Sequence, residues 1–280
     1  MAKHFLMRPL LALLTLFFIM IGSSVTAQET PSQKGYHLFN PTPRENMRDF
    51  SIDRPDVTES PITVDAGHFQ VEADIVKYTL DDRGDGFRTL TFLNGLYKMG
   101  LSSSWDIHVG VDFYNTYQTP DGKSIDGSEE YATTTTIRLK HNFWGNDGGS
   151  KTALGMIPYI ALSRFGDATF GLGIPFSYGI SEKLDFGAQA QFDFIPGSDD
   201  GEDTYNMSYF QTIVMGGPLV GDFDFYVEGM ATFFEGEEYI SANGGLIYNV
   251  SPNVKIDLAT NTGLTEGTPT RVYLGFSFRI

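Results

Sequence analysis

The sequence predicts an all-β protein, an antiparallel up-and-down β-barrel of the type that spans a membrane, with about 12 strands. Three observations lead to this fold class. Strand-length blocks alternate apolar and polar residues along most of the chain, short connections alternate with longer acidic ones, and the last residues form one more alternating block. A barrel is expected because strands can cross lipid only when every backbone group is paired.

Residues 1–27 have the order of a secretory signal peptide. Basic Lys3 and Arg8 precede an apolar run from Leu10 to Ile21, and small residues end at Ala27. This order predicts cleavage between Ala27 and Gln28, with export across the inner membrane. The apolar run is too short for a helix to span about 30 Å of hydrocarbon.

The composition narrows the class of protein. The chain has no cysteine, which excludes a disulfide framework or a thiolate metal site, and its net charge of -16 opposes nucleic-acid binding. The mean hydropathy of -0.15 resembles that of a water-soluble protein. A membrane barrel explains that average, because its polar interior offsets its apolar exterior.

Residues 28–66 are polar and rich in proline, without a sustained period. We expect an irregular periplasmic N-terminal segment there, followed by the barrel over residues 67–280.

The block Leu184 to Phe194 shows the barrel pattern most clearly, because apolar and polar residues alternate at every step. One face is therefore expected to meet lipid and the other water. Ten or fourteen strands also fit the pattern, which is least regular at 87–99, where Phe92 and Leu93 point to opposite faces, and at 152–165, where Pro158 removes a ladder donor. The predicted blocks are 67–80, 87–99, 105–114, 131–144, 152–165, 170–180, 184–194, 205–216, 222–233, 239–249, 254–262 and 270–280.

The connections support an orientation. Short ones, such as 181–183 and 251–253, alternate with longer acidic ones, such as 118–130 and 195–204. Bacterial barrels pair short periplasmic turns with longer extracellular loops, so the acidic loops are expected outside the cell and both termini in the periplasm. The connection after Phe165 is an exception, because it is short where an extracellular loop is expected.

The final block, Val272 to Ile280, has apolar residues at every second position. Such a strand suits closure against the first strand. The block is also similar to the terminal assembly signal of bacterial outer-membrane proteins, which usually ends in Phe, whereas this chain ends in Ile280.

A nine-residue stretch, Asp53-Arg-Pro-Asp-Val-Thr-Glu-Ser-Pro61, and the following Val64 to Glu72 resemble the opening of a known family. It is the MetA-pathway-of-phenol-degradation family of candidate outer-membrane transporters, and the resemblance extends from Asp53 to Ile280. It implies a barrel and a role in transport. It does not imply a particular solute, since only the family's name suggests phenolic or other hydrophobic molecules.

The same stretch has two structural interpretations. In the first, Arg54 pairs with Asp53, Asp56 or Glu59 and anchors the N-terminal segment at the periplasmic mouth, with Pro55 and Pro61 fixing turns. In the second, these residues form a plug or gate.

Alternation also predicts which polar side chains face the lumen. Acids outnumber bases among them, so an open lumen would favour cations, whereas in a narrow barrel the side chains would pair across a filled interior. The candidates are Asp106, His108, Asp112, Arg138, Lys140, Asp185, Gln189, Gln191, Asp193, Asp224, Glu228, Lys255 and Asp257.

These features predict a channel for passive passage of small solutes, hydrophobic or aromatic ones included, in the cell outer membrane. The expected partners are outer-membrane lipids and lipopolysaccharide, the barrel-assembly machinery and a small-molecule solute. The alternatives are a structural or adhesive barrel and an outer-membrane lipase, for which His141 is the lipid-side candidate without a clear serine partner. No nucleotide loop or zinc spacing occurs, so neither a metal nor a cofactor is expected.

Overall fold

The computed structural model describes residues 35–81, 86–146, 150–199 and 202–280. The predicted signal peptide, the first residues of the N-terminal segment and the acidic residues Asp82, Asp85 and Asp200 lie outside the described residues. In the described part of the chain, no helix is long and apolar enough to cross a membrane.

Residues 35–66 contain one 3-10 turn, at Arg44–Asn46, and otherwise follow an irregular path. The remaining described residues form strands joined by turns and loops. These strands are β1 (Phe69–Leu80), β2 (Arg88–Phe92), β3 (Gly95–Gly100), β4 (Trp105–Val111), β5 (Tyr114–Gln118), β6 (Glu130–Tyr131), β7 (Thr134–Trp144), β8 (Thr152–Ser163), β9 (Thr169–Ser181), β10 (Leu184–Asp199), β11 (Glu202–Val220), β12 (Phe223–Phe234), β13 (Glu237–Ser251), β14 (Val254–Gly263) and β15 (Thr270–Arg279).

The strands form one closed antiparallel sheet. β15 pairs with β14 on one side and with β1 on the other, where Val71 lies opposite Phe278. Three strands of the barrel are each split in two, as β2 with β3, β4 with β5, and β6 with β7, so the wall has 12 strands. The predicted closed barrel of about 12 strands is confirmed.

The three splits lie side by side in the wall. β1 pairs with both β2 and β3. On its other side, the register of β1 with β15 shifts between Asp74 and Val76, level with the first split. Leu93 and Ala132 adopt positive φ values of 55° and 46° at two of the splits. A positive φ is unusual for a residue with a side chain and turns the strand away from its regular course. This break is the reason that Phe92 and Leu93 disturb the alternation of block 87–99.

Pro158 does not end β8, which continues to Ser163. The ladder to β7 has a gap there, since Arg138 pairs with Tyr159 and the next matched pair is His141 with Met156. A missing donor is therefore accommodated locally within a continuous strand.

The β10–β11 hairpin is longer than expected. Residues 195–204 were predicted to form a loop, but β10 continues to Asp199 and β11 begins at Glu202. That prediction was wrong. Pro196 and Gly197 lower strand propensity, yet both pair with the opposite strand, opposite Tyr205 and Thr204. Cross-strand pairing, which propensity does not report, extends the hairpin.

The wall exposes its apolar side chains and buries its polar ones. Ile213, Val227 and Leu258 are 58%, 56% and 55% exposed. Their neighbours Thr212, Glu228 and Asp257 are buried. Successive strand residues point to opposite faces, so polar side chains fill the interior and apolar ones cover the outside.

Candidate functional site: a segment held inside the barrel

Residues 51–63, here called the inner segment, lie within the barrel. Their backbone folds back on itself, because Ser51 Oγ lies 2.8 Å from Ser60 Oγ and the Ser60 N–H donates to Asp53 Oδ1 at 2.7 Å. Proline restricts φ at Pro55 and Pro61, both of which are buried. The sequence thus favours a compact loop rather than an extended strand.

Arg54 connects the inner segment to two strands. Its Nε and Nη2 donate to the two carboxylate oxygens of Asp257 on β14 at 2.8 and 2.9 Å, and its Nη1 donates to Asp74 on β1 at 2.9 Å. Two parallel hydrogen bonds between a guanidinium and a carboxylate fix the orientation of the arginine side chain as well as stabilising the ion pair. The expectation that Arg54 pairs with Asp53, Asp56 or Glu59 was therefore wrong.

Asp53 binds two buried lysines. Its carboxylate accepts hydrogen bonds from Lys98 Nζ at 2.5 Å and from Lys140 Nζ at 2.8 Å. Glu72 on β1 accepts the Asp53 N–H at 2.9 Å and also pairs with Lys98. Each buried charge therefore has an opposite charge beside it, which offsets the cost of removing both from water.

The middle of the inner segment is bound by β12 and its neighbours. Glu228 accepts hydrogen bonds from the Val57 N–H at 3.0 Å, from the Thr58 N–H at 2.7 Å and from the Thr58 hydroxyl at 2.6 Å. Thr58 Oγ1 also lies 2.5 Å from Thr212 Oγ1 on β11, and Tyr273 on β15 donates to the Pro55 carbonyl at 2.7 Å. The segment is thus held from several sides of the barrel.

Glu59 binds the opposite part of the wall. Its N–H donates to Gln189 Oε1 on β10 at 2.7 Å, and its carboxylate forms an ion pair with Arg138 on β7. Glu59, Arg138 and Gln189 all border a cavity of about 340 Å³ that continues along β10 to Ile195, toward the β10–β11 hairpin. This cavity, called the vestibule, lies next to the inner segment at Glu59.

The chain leaves the inner segment at the end of the barrel near the β3–β4 turn. The Val64 N–H donates to Asp106 Oδ2 at 2.7 Å, and Arg48 pairs with Asp65 at 2.8 Å. His68 bonds to the Thr42 and Ile280 carbonyls at 2.7 and 3.0 Å. These contacts attach both ends of the inner segment to one rim of the barrel.

Two acids of the inner segment differ in their titration. Burial would raise the pKa of the Asp53 carboxyl, but the ammonium groups of Lys140 and Lys98 hold it well below its usual range. Burial raises the pKa of the Glu59 carboxyl, and the nearby Asp53 carboxylate raises it further, to about 7, despite Arg138 and Lys140. Of these two acids, Glu59 is the one whose charge changes near neutral pH.

Asp53, Glu59 and His108 are a possible ligand group for a metal, since one ligand atom from each lies within 4.8 Å of the others. Two lysine ammonium groups already bind Asp53, and His108 Nε2 lies 2.8 Å from Asp106 Oδ1. The lysines supply the positive charge that a metal ion would bring. We therefore interpret the cluster as an ion-pair network.

Comparison with known proteins agrees with this architecture. Residues 52–280 match the model of the family described as "Putative MetA-pathway of phenol degradation". The chain belongs to this family. The matched region includes most of the inner segment as well as the barrel, so the family is defined over both. Among curated proteins, no sequence match was found.

Two solved structures with the same fold are porins. The NanC porin is 13% identical, with a TM-score of 0.53 over 75% of this chain and 98% of its own. The KdgM porin in complex with disordered oligogalacturonate is 11% identical, with a TM-score of 0.50 over 75% of this chain and 98% of its own. At this identity the likeness is one of fold, a porin-like barrel.

Six of the predicted lumen residues contact the inner segment or Val64, the residue that follows it. They are Asp106, Arg138, Lys140, Gln189, Glu228 and Asp257.

The other predicted lumen residues lie elsewhere. Gln191 and Asp193 line the vestibule, and His108 is buried beside Asp106. Asp224 accepts a hydrogen bond from Asn249, Lys255 lies over the Phe50 ring, Asp112 is partly buried, and Asp185 is exposed.

Lys98, Thr212 and Tyr273 also bind the inner segment and are not among the predicted lumen residues. Lys98 follows the break at Leu93, after which alternation counted from Phe92 no longer predicts the face. Lys98 lies opposite Gln70, a buried residue of β1, and this pairing indicates that Lys98 faces the barrel interior.

His141, the lipase candidate, stacks on Trp105 with ring centroids 4.1 Å apart, and its Nδ1 lies 3.1 Å from the Ser104 carbonyl. Its described contacts are thus those of an aromatic cluster on the wall.

Proposed function

We propose that the chain is an outer-membrane channel for small solutes and that the inner segment is its gate. One observation carries this proposal. Side chains from β1, β3, β7, β10, β12 and β14 all bind the inner segment, so it lies across the path that a solute would take. The family match and the porin-like fold support a transport role.

An outer-membrane location follows from the surface of the wall. Exposed apolar side chains such as Ile213, Val227 and Leu258 would be unfavourable in water over so large an area, whereas lipid accommodates them. The predicted signal peptide would direct export. Outer-membrane lipids, lipopolysaccharide and the barrel-assembly machinery are then the partners of a folded and inserted chain.

A gate needs a closed state and a way to leave it. The closed state is held by many polar contacts rather than by an apolar core, and the residues on either side of the inner segment attach it to the same rim of the barrel. Polar contacts can exchange with water as the inner segment moves. The proposed transport is passive and needs no cofactor, and we propose no enzymatic activity.

Planar-bilayer recording of the full chain and of a chain lacking residues 28 to 62 tests this function. Brief, rare openings are expected from the full chain and a steady, larger conductance from the shortened one. Heat-modifiable electrophoretic mobility of both proteins provides the control for barrel folding. Equal conductance from two folded proteins would remove the gate, and no conductance from either would favour a structural barrel.

Uptake of a solute panel by cells with and without the protein addresses the solute itself. Faster uptake of some solutes is expected when the protein is present. No difference across the panel would contradict a transport role.

A further inference from the structure

The vestibule is lined by both polar and apolar side chains. Arg138, Tyr159, Gln191 and Asp193 provide hydrogen-bonding groups, while Ala161 and Ile195 provide apolar surface. Its volume of about 340 Å³ lies at the lower end of the range for small-molecule sites. Such a lining fits a small solute with one polar end and an apolar body.

The polar side chains that β8 and β10 contribute to the vestibule are hydrogen-bonded to one another. Tyr159 donates to Asp193, and Gln191 Nε2 donates to the Tyr159 hydroxyl at 3.0 Å and to Asp193 at 3.1 Å. Gln189 Nε2 donates to Gln191 Oε1 at 2.9 Å. The Asp193 carboxylate thus already accepts hydrogen bonds from Tyr159 and Gln191.

Arg138 differs from these groups. Its side chain is 28% exposed, whereas that of Glu59, its ion-pair partner, is 14% exposed. The guanidinium has five donors, and the buried Nε has no hydrogen-bond partner among the described residues. The cation of this ion pair is therefore the partner more accessible to a solute in the vestibule.

Arg138 also lies over the Tyr159 ring, with its Cζ 5.9 Å from the ring centroid. An apolar body beside the Tyr159 ring would place a terminal carboxylate near the guanidinium. Arginine binds carboxylates in a two-pronged geometry, so a solute carboxylate is a direct competitor for the contact that Glu59 now makes.

We propose that the vestibule binds a small organic carboxylate with an apolar body, which displaces Glu59 from Arg138 and thereby releases the inner segment. This inference rests on the proposed gate function. Glu59 also lies 3.8 Å from Lys140 and donates its N–H to Gln189, but an ionised Glu59 that has lost Arg138 is a buried charge short of its nearest partner, which favours its departure from the wall. A solute thus opens the channel that it enters.

Benzoate, benzyl alcohol and benzylamine test the proposal because they share a ring and differ in charge. Open probability of the full chain is recorded in planar bilayers at pH 8 with each compound. A ligand that binds only the released state shifts the opening equilibrium by about tenfold at ten times its dissociation constant. We expect that increase with benzoate alone. An equal increase with benzyl alcohol, or an increase with benzylamine instead, would overturn the proposal.

Binding measured by calorimetry in detergent separates competition from a general loosening of the barrel. The E59Q variant removes the competing carboxylate. It is expected to bind benzoate about tenfold more tightly than the unmodified protein does. R138Q is expected to lose binding, while R164Q, which changes an arginine outside the vestibule, binds normally. Unchanged affinity in E59Q, or binding retained in R138Q, would overturn the proposal.

The shortened chain, which lacks residues 28 to 62, separates failure of the gate from failure of carboxylate binding. If it conducts steadily but benzoate leaves the full chain unchanged, the carboxylate proposal fails and the gate remains. If removal of residues 28 to 62 leaves the conductance of a folded barrel unchanged, the gate fails, and the carboxylate proposal fails with it.

Discussion

Arg54 and Asp257 form a two-pronged ion pair at 2.8 and 2.9 Å, although 203 residues of sequence separate them. The pair links the inner segment to β14 inside a closed barrel, and Asp74 on β1 binds the same guanidinium. Removing one member of a buried pair costs about 3–5 kcal/mol, because the remaining charge is left without a partner.

The R54A variant is therefore expected to weaken the docking of the inner segment by about 3 kcal/mol. Hydrogen exchange of residues 51–63 measures this as faster exchange by about two orders of magnitude. The R88A variant is the matched control, since Arg88 donates to Tyr78 on the wall and does not contact the inner segment. Equal exchange rates in R54A and the unmodified chain would mean that Arg54 does not hold the segment.

Gly275 provides a test that changes no charge. A Cβ at this position would lie 1.9 Å from Arg54 Nη2 and 2.7 Å from the Ala73 carbonyl oxygen. The guanidinium would have to move away from Asp257, so G275A is expected to raise the open probability of the channel. G229A is the control because its Cβ would meet nothing closer than Ile213 Cγ1 at 3.8 Å. Similar recordings from both variants would contradict the tight fit of Arg54 against β15.

Asp53 and Lys140 are expected to be energetically coupled. K140M leaves Asp53 with Lys98 alone, whereas D53N with K140M removes both charges of the 2.8 Å pair. The coupling energy should reach about 1–3 kcal/mol in a double-mutant cycle of segment docking, because single changes leave a buried charge. Hydrogen exchange of residues 51–63 in the four proteins gives the cycle. Additive effects would show that the two groups do not interact.

Docking of the inner segment is expected to depend on pH through Glu59. Its pKa is raised to about 7 in the docked segment from an ordinary value of 4.5, with Asp53, Arg138 and Lys140 as the charged neighbours. A raised acid pKa means that the docked state holds the proton more tightly. The Glu59 contribution to docking is therefore complete below about pH 4.5 and is lost as pH rises through about 7.

Open probability should accordingly rise between pH 5 and about pH 7.5 and level off above that. E59Q should remove this rise and serves as the control for other titrating groups. A pH response that persists unchanged in E59Q would assign the effect to another residue.

The sequence predicts the wall of the barrel better than its interior. Alternation along Leu184 to Phe194 predicts two faces of one strand, because the pleat makes orientation a local property. Local reasoning fails at Leu93, where a positive φ changes the face of the residues that follow, Lys98 among them. It also fails at Pro196 and Gly197, where hairpin pairing overrides strand propensity.

The inner segment was recognisable as a motif but not as a set of contacts. Three acids near Arg54 in sequence suggested local pairs, whereas the guanidinium binds Asp257 and Asp74 on the wall. Charge pairs within one loop and across a barrel look the same in a sequence. Only the closure of β15 against β1 brings Asp257 and Asp74 to the same guanidinium.

A disulfide between the inner segment and the wall is the most direct test of the gate. Thr58 Oγ1 and Thr212 Oγ1 lie 2.5 Å apart, so the T58C and T212C changes place two sulfurs at a separation close to the bond length of about 2 Å. The chain has no other cysteine that could mispair. Single-channel recording of the double variant, with each single variant as control, is made before and after addition of a reductant. We expect the oxidised protein to stay closed and openings to return on reduction. Equal conductance in the oxidised and reduced states would show that the inner segment is not the gate.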